Sequence, residues 1–292
     1  LYWSLNDAVE QGVSNQFLGT PEEAVLALEQ QLKESIGDQI LSDVPLGAFL
    51  SGGVDSSTIV ALMQSQSERP VKTFTLGFDE AGYNEAEHAK AVAKHLKTDH
   101  TELYIKADDA LEVIPKLVSM YCEPFADSSQ IPTYLVSKLA KQHVTVSLSG
   151  DAGDELFGGY NRYIAVNKYW ARINKVPKPF RASLSHILSK SSPASWDYIF
   201  STIERITFSK LSIPNPGDKI QKLVSALASN NIVDFYDDVV THWKGDSIVL
   251  NALDKSSNSI FSKLSNDFNS PEEWMMAMDL DTYLPDDISV KV

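Results

Sequence analysis

The residues best suited to chemistry in this 292-residue sequence form a short loop rich in glycine and serine. Residues 51–57 read SGGVDSS and follow an apolar run that ends at Leu50. Gly52 and Gly53 permit backbone conformations that other residues resist, so successive amides can point inward and bind an anion at the start of a helix. The loop therefore predicts a phosphate site. Three hydroxyl donors accompany the amides: Ser51, Ser56 and Ser57.

Asp55 gives this loop a second property, because a bare carboxylate would repel phosphate. A divalent metal between the carboxylate and the phosphate oxygens would remove that conflict. No lysine follows the second glycine, so this is not a Walker A loop. The alternative is an ordinary strand-to-helix turn capped by Ser or Asp, which needs no ligand. The position of Asp55 and two serines after a strand favours the phosphate interpretation.

A second loop, at residues 149–160, reads SGDAGDELFGGY and concentrates negative charge. Asp151, Asp154 and Glu155 lie within five residues of one another. Carboxylates so near to one another do not readily ionise together unless a cation lies among them. The alternative is an acidic first turn that complements the dipole of the next helix. Together with the first loop, the pattern favours metal-binding and acid–base roles.

Both loops follow predicted strands in a chain where strands and amphipathic helices alternate. The first helix begins with Thr20 and Glu23, which have the spacing of a capping box. The alternation predicts an α/β fold, a parallel sheet with helices on both faces and ligands beyond the carboxyl ends of its strands. After residue 160 the patterns are helical, and the acidic stretch 279–287 is predicted to be a solvated helix face and turn. The predicted strands are 43–50, 71–78, 100–105 and 143–149, and the predicted helices between them are 20–42, 56–64, 85–96, 108–120 and 132–141.

Charge, cysteine content and apolar run length exclude several classes of protein and site. With 25 Lys and Arg against 39 Asp and Glu, the formal net charge is −14, which argues against general nucleic-acid binding. Cys122 is the only cysteine, so an internal disulfide and a multi-cysteine zinc site are excluded, and a reducing cytoplasm is the expected compartment. We predict that Cys122 is buried or half-buried. The apolar runs are far shorter than the roughly 20 residues of a membrane helix, and the start does not resemble a signal peptide.

The two loops resemble known signatures. The first resembles the pyrophosphate loop of the ATP pyrophosphatase group, and the second resembles a signature of the glutamine-dependent asparagine synthetase family. The resemblance spans nearly the whole chain and implies an ATP pyrophosphatase fold (adenine nucleotide alpha hydrolase-like), followed by a mainly helical region. Further segments similar to that family are YWSL at 2–5, TFTLGF at 73–78, DSSQIP at 127–132 and YLPDD at 283–287.

In that family the synthetase domain adenylates the side-chain carboxylate of aspartate, which releases pyrophosphate, and ammonia then displaces AMP. The resemblance implies that Asp55 and Asp154 bind Mg²⁺. It implies a catalytic role for Asp151, where many members have the longer Glu. The ATP and pyrophosphate ligands that the resemblance implies are Leu50, Ser51, Gly52, Gly53, Asp55, Ser56, Ser57, Leu76, Ser149 and Gly150.

The resemblance also implies three regions: a lead-in segment at 1–19 from an N-terminal glutaminase domain, a nucleotide-binding core at 20–165, and a mainly helical part at 166–292. The family continues beyond this point to a catalytic lysine, so Lys291 is not assigned that role and the chain alone is expected to be inactive. The expected partners are ATP, aspartate or a related carboxylate, ammonia, a covalently linked glutaminase domain and a possible second copy in a homodimer, without nucleic acid or membrane. The alternatives are the same chemistry on a sugar uronic acid or in β-lactam formation, and a non-catalytic ATP-binding scaffold.

Overall fold

The computed structural model describes residues 2–78, 85–123, 125–207, 216–241 and 268–292. The chain divides into two compact units. The sheet unit comprises Glu10–Phe157 and Asp279–Val292, and the helical unit comprises Leu1–Val9 and Gly158–Met278. The three regions that the resemblance implies stay a prediction.

The sheet unit is built on four parallel strands in the order β3-β2-β1-β4. Since β2 and β3 extend the sheet on one side of β1 while β4 lies on the other, the winding reverses between β1 and β4. In such sheets ligands bind outside the carboxyl ends of the strands at this reversal. The observed order confirms the predicted parallel sheet. The strands are β1 (Leu46–Phe49), β2 (Lys72–Phe78), β3 (Asp99–Ile105) and β4 (Val146–Leu148).

Helices cover both faces of this sheet, as predicted. Leu50, Val60 and Ala89 belong to a buried cluster on one face, whereas Phe74 and Leu139 belong to a cluster on the other. The predicted capping box at the start of the second helix is confirmed. The first helix was not expected from the sequence. These helices are α1 (Leu5–Ser14), α2 (Pro21–Gln39), α3 (Val54–Ser65), α4 (Ala86–Leu96), α5 (Ala107–Met120), α6 (Gln130–Ala140) and α7 (Gly153–Phe157).

The described residues after position 160 are mainly helical, which confirms the prediction. The helical unit has its own core, in which Tyr163, Tyr236 and Met275 are buried. A buried guanidinium lies beside it: Arg181 donates to the Ser229 carbonyl oxygen at 3.3 Å. Among the described residues, no helix is both long and apolar enough to cross a membrane. The helices are α8 (Asn161–Ile173), α9 (Lys178–Ser189), α10 (Pro193–Thr207), α11 (Pro216–Ala228), α12 (Ile232–Val240) and α13 (Pro271–Asp281).

Two expectations about single side chains are wrong. Asp279 is 2% exposed, although the acidic stretch at 279–287 was expected to be solvated. A spacing of four places Asp279 on the same face of α13 as the buried Met275, so the helix carries the carboxylate inward. Cys122 is exposed and not buried. After α13 the chain continues through a π-helical turn (Leu284–Ile288) into α14 (Ser289–Lys291).

A polar cluster between β2 and β3 predicts a pH-dependent stability. The His100 Nδ1 lies 2.8 Å from the Thr73 hydroxyl, while its Nε2 is 3.9 Å from Glu102 and is buried without a hydrogen-bond partner among the described residues. Burial lowers the pKa of His100 below its usual value; Glu102 opposes this shift and Lys90 adds to it. At a pH below the ordinary histidine pKa, the unfolded chain therefore binds a proton at His100 more readily than the folded chain does.

The sheet unit should consequently lose stability as the pH falls from 7.5 to 5.5. We expect a loss of up to about 1 kcal/mol from this one histidine. His100→Gln should abolish that part of the pH dependence, because glutamine does not titrate. Urea denaturation of both proteins at the two pH values measures the difference. Equal losses in the wild type and the variant would assign the pH dependence to other groups.

Candidate active site

The first glycine loop connects β1 to α3 and is held closed by its own serines. The Ser51 and Ser56 hydroxyl oxygens are 2.9 Å apart, and the Ser51 amide donates to the Ser56 hydroxyl at 3.2 Å. Gly53 is the N-cap of α3, and no side chain caps the helix. The alternative of a turn capped by Ser or Asp is therefore wrong. A helix that begins without a capping side chain keeps amide donors for an anion.

Two further features of this loop are typical of a ligand-binding site. The Ser57 hydroxyl is buried and has no hydrogen-bond partner among the described residues, and a buried polar atom in that condition calls for a ligand or water. Gly52 has φ +81°, and a Cβ there would lie 2.6 Å from the Ala89 amide nitrogen and 2.7 Å from the His88 carbonyl carbon. Only glycine fits, since the first turn of α4 packs directly on the loop.

The second glycine loop contacts the first one closely. A Cβ on Gly150 would lie 2.6 Å from the Ser56 amide nitrogen, and one on Gly153 would lie 2.5 Å from the Asp55 carboxyl carbon. Both glycines thus leave room for the backbone and the carboxylate of the first loop. The structure brings the two predicted loops together at the carboxyl ends of β1 and β4, as the strand order requires.

This contact places two carboxylates near each other. Burial raises the pKa of Asp55, and the nearby charge of Asp154 raises it further. No group of three or more His, Cys, Asp or Glu side chains within the described ranges could hold a metal ion. A cation at Asp55 and Asp154 would hence need oxygen ligands from elsewhere. Mg²⁺ is usually bound in this way, by one or two carboxylates together with substrate phosphates.

The three acids of the second loop have different surroundings. Asp151 is exposed, Asp154 is half-buried and Glu155 is 1% exposed. The positive φ of Ala152, +73°, turns the chain between the first two. Asp151 and Asp154 thus keep contact with solvent, whereas Glu155 does not. The metal-binding and acid–base roles expected of this loop stay a prediction.

A cleft of about 520 Å³ opens beside the first loop, at the ends of β1 and β2. It includes the predicted ligands Leu50, Ser51 and Leu76, whereas Ser149 and Gly150 do not line it. Sequence reasoning missed most of the wall, because these residues come from helix starts and strand faces without a common spacing. The cleft is lined by Phe49, Leu50, Ser51, Phe74, Thr75, Leu76, Phe78, Glu85, Pro132, Thr133 and Val136.

The profile of a known family covers both loops and the cleft. The family described as asparagine synthase matches residues 27–291. The chain belongs to the asparagine synthase family. The resemblance on which the sequence analysis rested is thereby confirmed, and the family match extends over the strands, the glycine loops and most of the helical region.

Individual relatives agree with this family assignment. The chain is 45% identical over 152 residues to "Putative asparagine synthetase [glutamine-hydrolyzing] 2" of Methanocaldococcus jannaschii. The aligned segment covers 51% of this chain and 29% of the relative. It is 41% identical over 142 residues to "Asparagine synthetase [glutamine-hydrolyzing] 1" of Bacillus subtilis. That aligned segment covers 49% of this chain and 22% of the relative. These matches span less than a third of the length of each relative.

Solved structures add little to the family assignment. The NH3-dependent NAD synthetase of Campylobacter jejuni overlaps 47% of this chain and 60% of its own, with 15% identity and a TM-score of 0.35. That similarity is too low to support an argument about function. The functional argument therefore depends on the family and on the geometry of the loops.

Proposed function

We propose that this chain is the ATP-dependent, amide-forming part of an asparagine synthetase. A carboxylate oxygen of aspartate attacks the α-phosphorus of ATP, the bond from that phosphorus to the bridging oxygen breaks, and pyrophosphate leaves. Ammonia then attacks the acyl carbon, AMP departs and asparagine is formed after loss of a proton. The observation that carries the proposal is the contact of Gly150 and Gly153 with Ser56 and Asp55, which joins both loops beside one cleft.

The chain's own groups suit the phosphate end of ATP. The uncapped start of α3 and the orphaned Ser57 hydroxyl would donate to pyrophosphate oxygens. Ser51 and Ser56, already linked to each other, would hold the loop in one shape before the ligand binds. Donors fixed in advance stabilise the charge that develops on the leaving group without reorganisation.

The residues also fit a bound magnesium ion. Asp55 and Asp154 would hold it from the protein side, which would relieve the repulsion between the two carboxylates. When bound, Mg²⁺ neutralises phosphate charge and so makes pyrophosphate a better leaving group. In the wider cleft, Leu50 and Leu76 would pack against the adenosine. Asp151, exposed at the second loop, would support adenylation or accept a proton from the ammonia nucleophile.

The names of the matched relatives include glutamine hydrolysis. We extend that property to the full-length protein that carries this chain, with a covalently linked glutaminase domain as the ammonia source. Any exposed adenylate would be lost to water, so synthesis requires a covered site.

An isotope experiment tests the proposed function. Full-length protein is supplied with ATP, Mg²⁺, ammonium and aspartate labelled with ¹⁸O in its side-chain carboxylate. Adenylation moves one labelled oxygen into AMP, so mass spectrometry should find ¹⁸O in AMP together with asparagine and pyrophosphate. ADP and phosphate as products would overturn the mechanism.

The same experiment separates the alternatives. Label in AMP from a uronic acid or a β-lactam precursor, but not from aspartate, would change the acceptor and keep the chemistry. ATP binding by calorimetry without any AMP would favour a non-catalytic scaffold. In both cases the proposal of asparagine synthesis fails.

A further inference from the structure

A buried ion cluster lies outside the loops described so far. The Lys291 ammonium contacts the Asp127 carboxylate, and its distance to the Asp287 carboxylate is 3.1 Å. The Lys291 side chain is only 7% exposed. The sequence analysis did not assign the catalytic role to this lysine, and no spacing rule could have paired it with Asp127, which lies 164 positions earlier in the chain.

Asp127 connects this cluster to the start of α6. Its carboxylate also accepts from the Ser129 amide at 2.9 Å and from the Ser129 hydroxyl at 2.6 Å. The next residue, Gln130, is buried and donates to the Phe125 carbonyl oxygen at 3.1 Å. One carboxylate therefore fixes the turn that leads into α6 and receives Lys291 from α14 at the same time.

The start of α6 is also a wall of the cleft. Pro132 and Thr133, in the first turn of α6, line the 520 Å³ cleft together with Ser51 of the first glycine loop. A displacement of this turn would change the shape of the cleft without touching either glycine loop. Lys291 is thus linked to the cleft through two short steps, one ionic and one along the helix.

The charges support an ion pair between Lys291 and Asp127, whereas burial raises the pKa of Asp287. Burial acts to raise the pKa of Asp127, but hydrogen bonds from Lys291 and Ser129 outweigh it and hold that pKa well below its ordinary value. Burial acts to lower the pKa of Lys291, and its bonds to Asp127 and Asp287 more than compensate. The ammonium and the Asp127 carboxylate consequently both stay charged near neutral pH.

We infer that Lys291 is a positioning residue for the nucleotide cleft: by holding Asp127 it fixes the first turn of α6 and the wall formed by Pro132 and Thr133. The inference rests on the proposed function, because it takes the cleft to be the ATP site. Lys291 does not touch the nucleotide and performs no proton transfer. Its effect is on affinity, through the shape of the wall.

Lys291→Met should weaken ATP binding about fivefold in calorimetry, a size usual for residues that act through another. In the full-length protein it should raise KM for ATP and leave kcat nearly unchanged, because a displaced cleft wall affects binding more than chemistry. Lys291→Arg should restore most of the affinity, since a guanidinium can also bind both carboxylates. Lys141→Met, an exposed lysine just beyond the other end of α6, is the matched control.

A double-mutant cycle gives the sharper result. Lys291→Met and Asp127→Asn should be strongly non-additive, with the double variant no weaker than Asp127→Asn alone. Asp287→Asn should have a smaller effect than Asp127→Asn, because Asp127 is the carboxylate that accepts from the Ser129 amide and hydroxyl at the start of α6. Additive effects, or a loss in Lys141→Met equal to that in Lys291→Met, would overturn the inference.

Amide hydrogen exchange keeps this inference separate from the proposed function. Without any ligand, residues 125–135 should exchange faster in Lys291→Met than in the wild type and return toward wild-type rates in Lys291→Arg. Unchanged exchange there would contradict the positioning role even if ATP binds. Absence of ATP binding in the wild type, with the exchange result as expected, would instead refute the nucleotide site. If Lys291→Met does not fold, Asp127→Asn and Lys291→Arg carry the same comparison.

Discussion

Asp55→Asn should reduce ATP-dependent pyrophosphate release by about 100-fold or more, the usual size of effect when a group that stabilises transition-state charge is removed. Asp55 lies at the start of α3 against Gly153, and the charge of Asp154 acts on it. In the proposed site these two carboxylates are the protein's ligands for magnesium. Asparagine keeps the shape but removes half of that charge. The measurement is kcat/KM for pyrophosphate release as a function of Mg²⁺ concentration.

The stability of the same variant distinguishes this explanation from a simple loss of folding. Burial and Asp154 raise the pKa of Asp55, so its charged form is disfavoured in the folded chain near neutral pH. Without metal, Asp55→Asn should therefore melt at the same temperature as the wild type or higher. Asp38→Asn, an exposed acid on α2, should change neither property. A variant that loses stability and activity together would contradict the metal-site assignment.

Gly150→Ala should separate the two loops and weaken ATP binding more than tenfold. The new Cβ would lie 2.6 Å from the Ser56 amide nitrogen and 2.9 Å from the Asp55 carbonyl carbon, both backbone atoms that cannot rotate away. Overpacking of this kind costs about 1–3 kcal/mol of stability. Because the displaced atoms belong to the phosphate loop, we expect affinity to suffer as well. Calorimetry with ATP and urea denaturation measure the two effects.

Gly12→Ala is the control for this substitution. It lies on α1 with nothing within 4 Å of an added Cβ, so alanine should be neutral there or raise stability by up to about 1 kcal/mol. Wild-type ATP affinity in Gly150→Ala would show that the contact between the loops is not needed for binding. That result would remove the observation on which the proposed function depends.

The strands and helices of the sheet unit were predictable because their signals are local. The alternation of apolar runs with amphipathic segments specifies a parallel sheet, and the capping box of Thr20 and Glu23 marks where α2 starts. Boundaries were less certain: the strand expected at 143–149 is limited to Val146–Leu148. The glycine loops were predictable as sites, because residues that free the backbone stand directly after strands.

Burial of single charged groups could not be predicted in the same way. Asp279 belongs to an acidic stretch that reads as solvated, but it lies on the buried face of α13. In the second glycine loop Glu155 is buried, whereas Asp151 is exposed. Charge patterning describes average exposure, whereas the burial of one side chain depends on what packs over its helix face.

The parallel sheet, the two glycine loops and the family of the chain could all be inferred from the amino-acid order. Two contacts became visible only in the folded chain: Gly153 packs against Asp55, and Lys291 reaches Asp127 across 164 positions of the chain. The physical reason is that helix and strand periods act between near neighbours, so they specify each element and its buried face. Contacts between distant loops depend on strand order and on packing of whole elements, which no local spacing encodes.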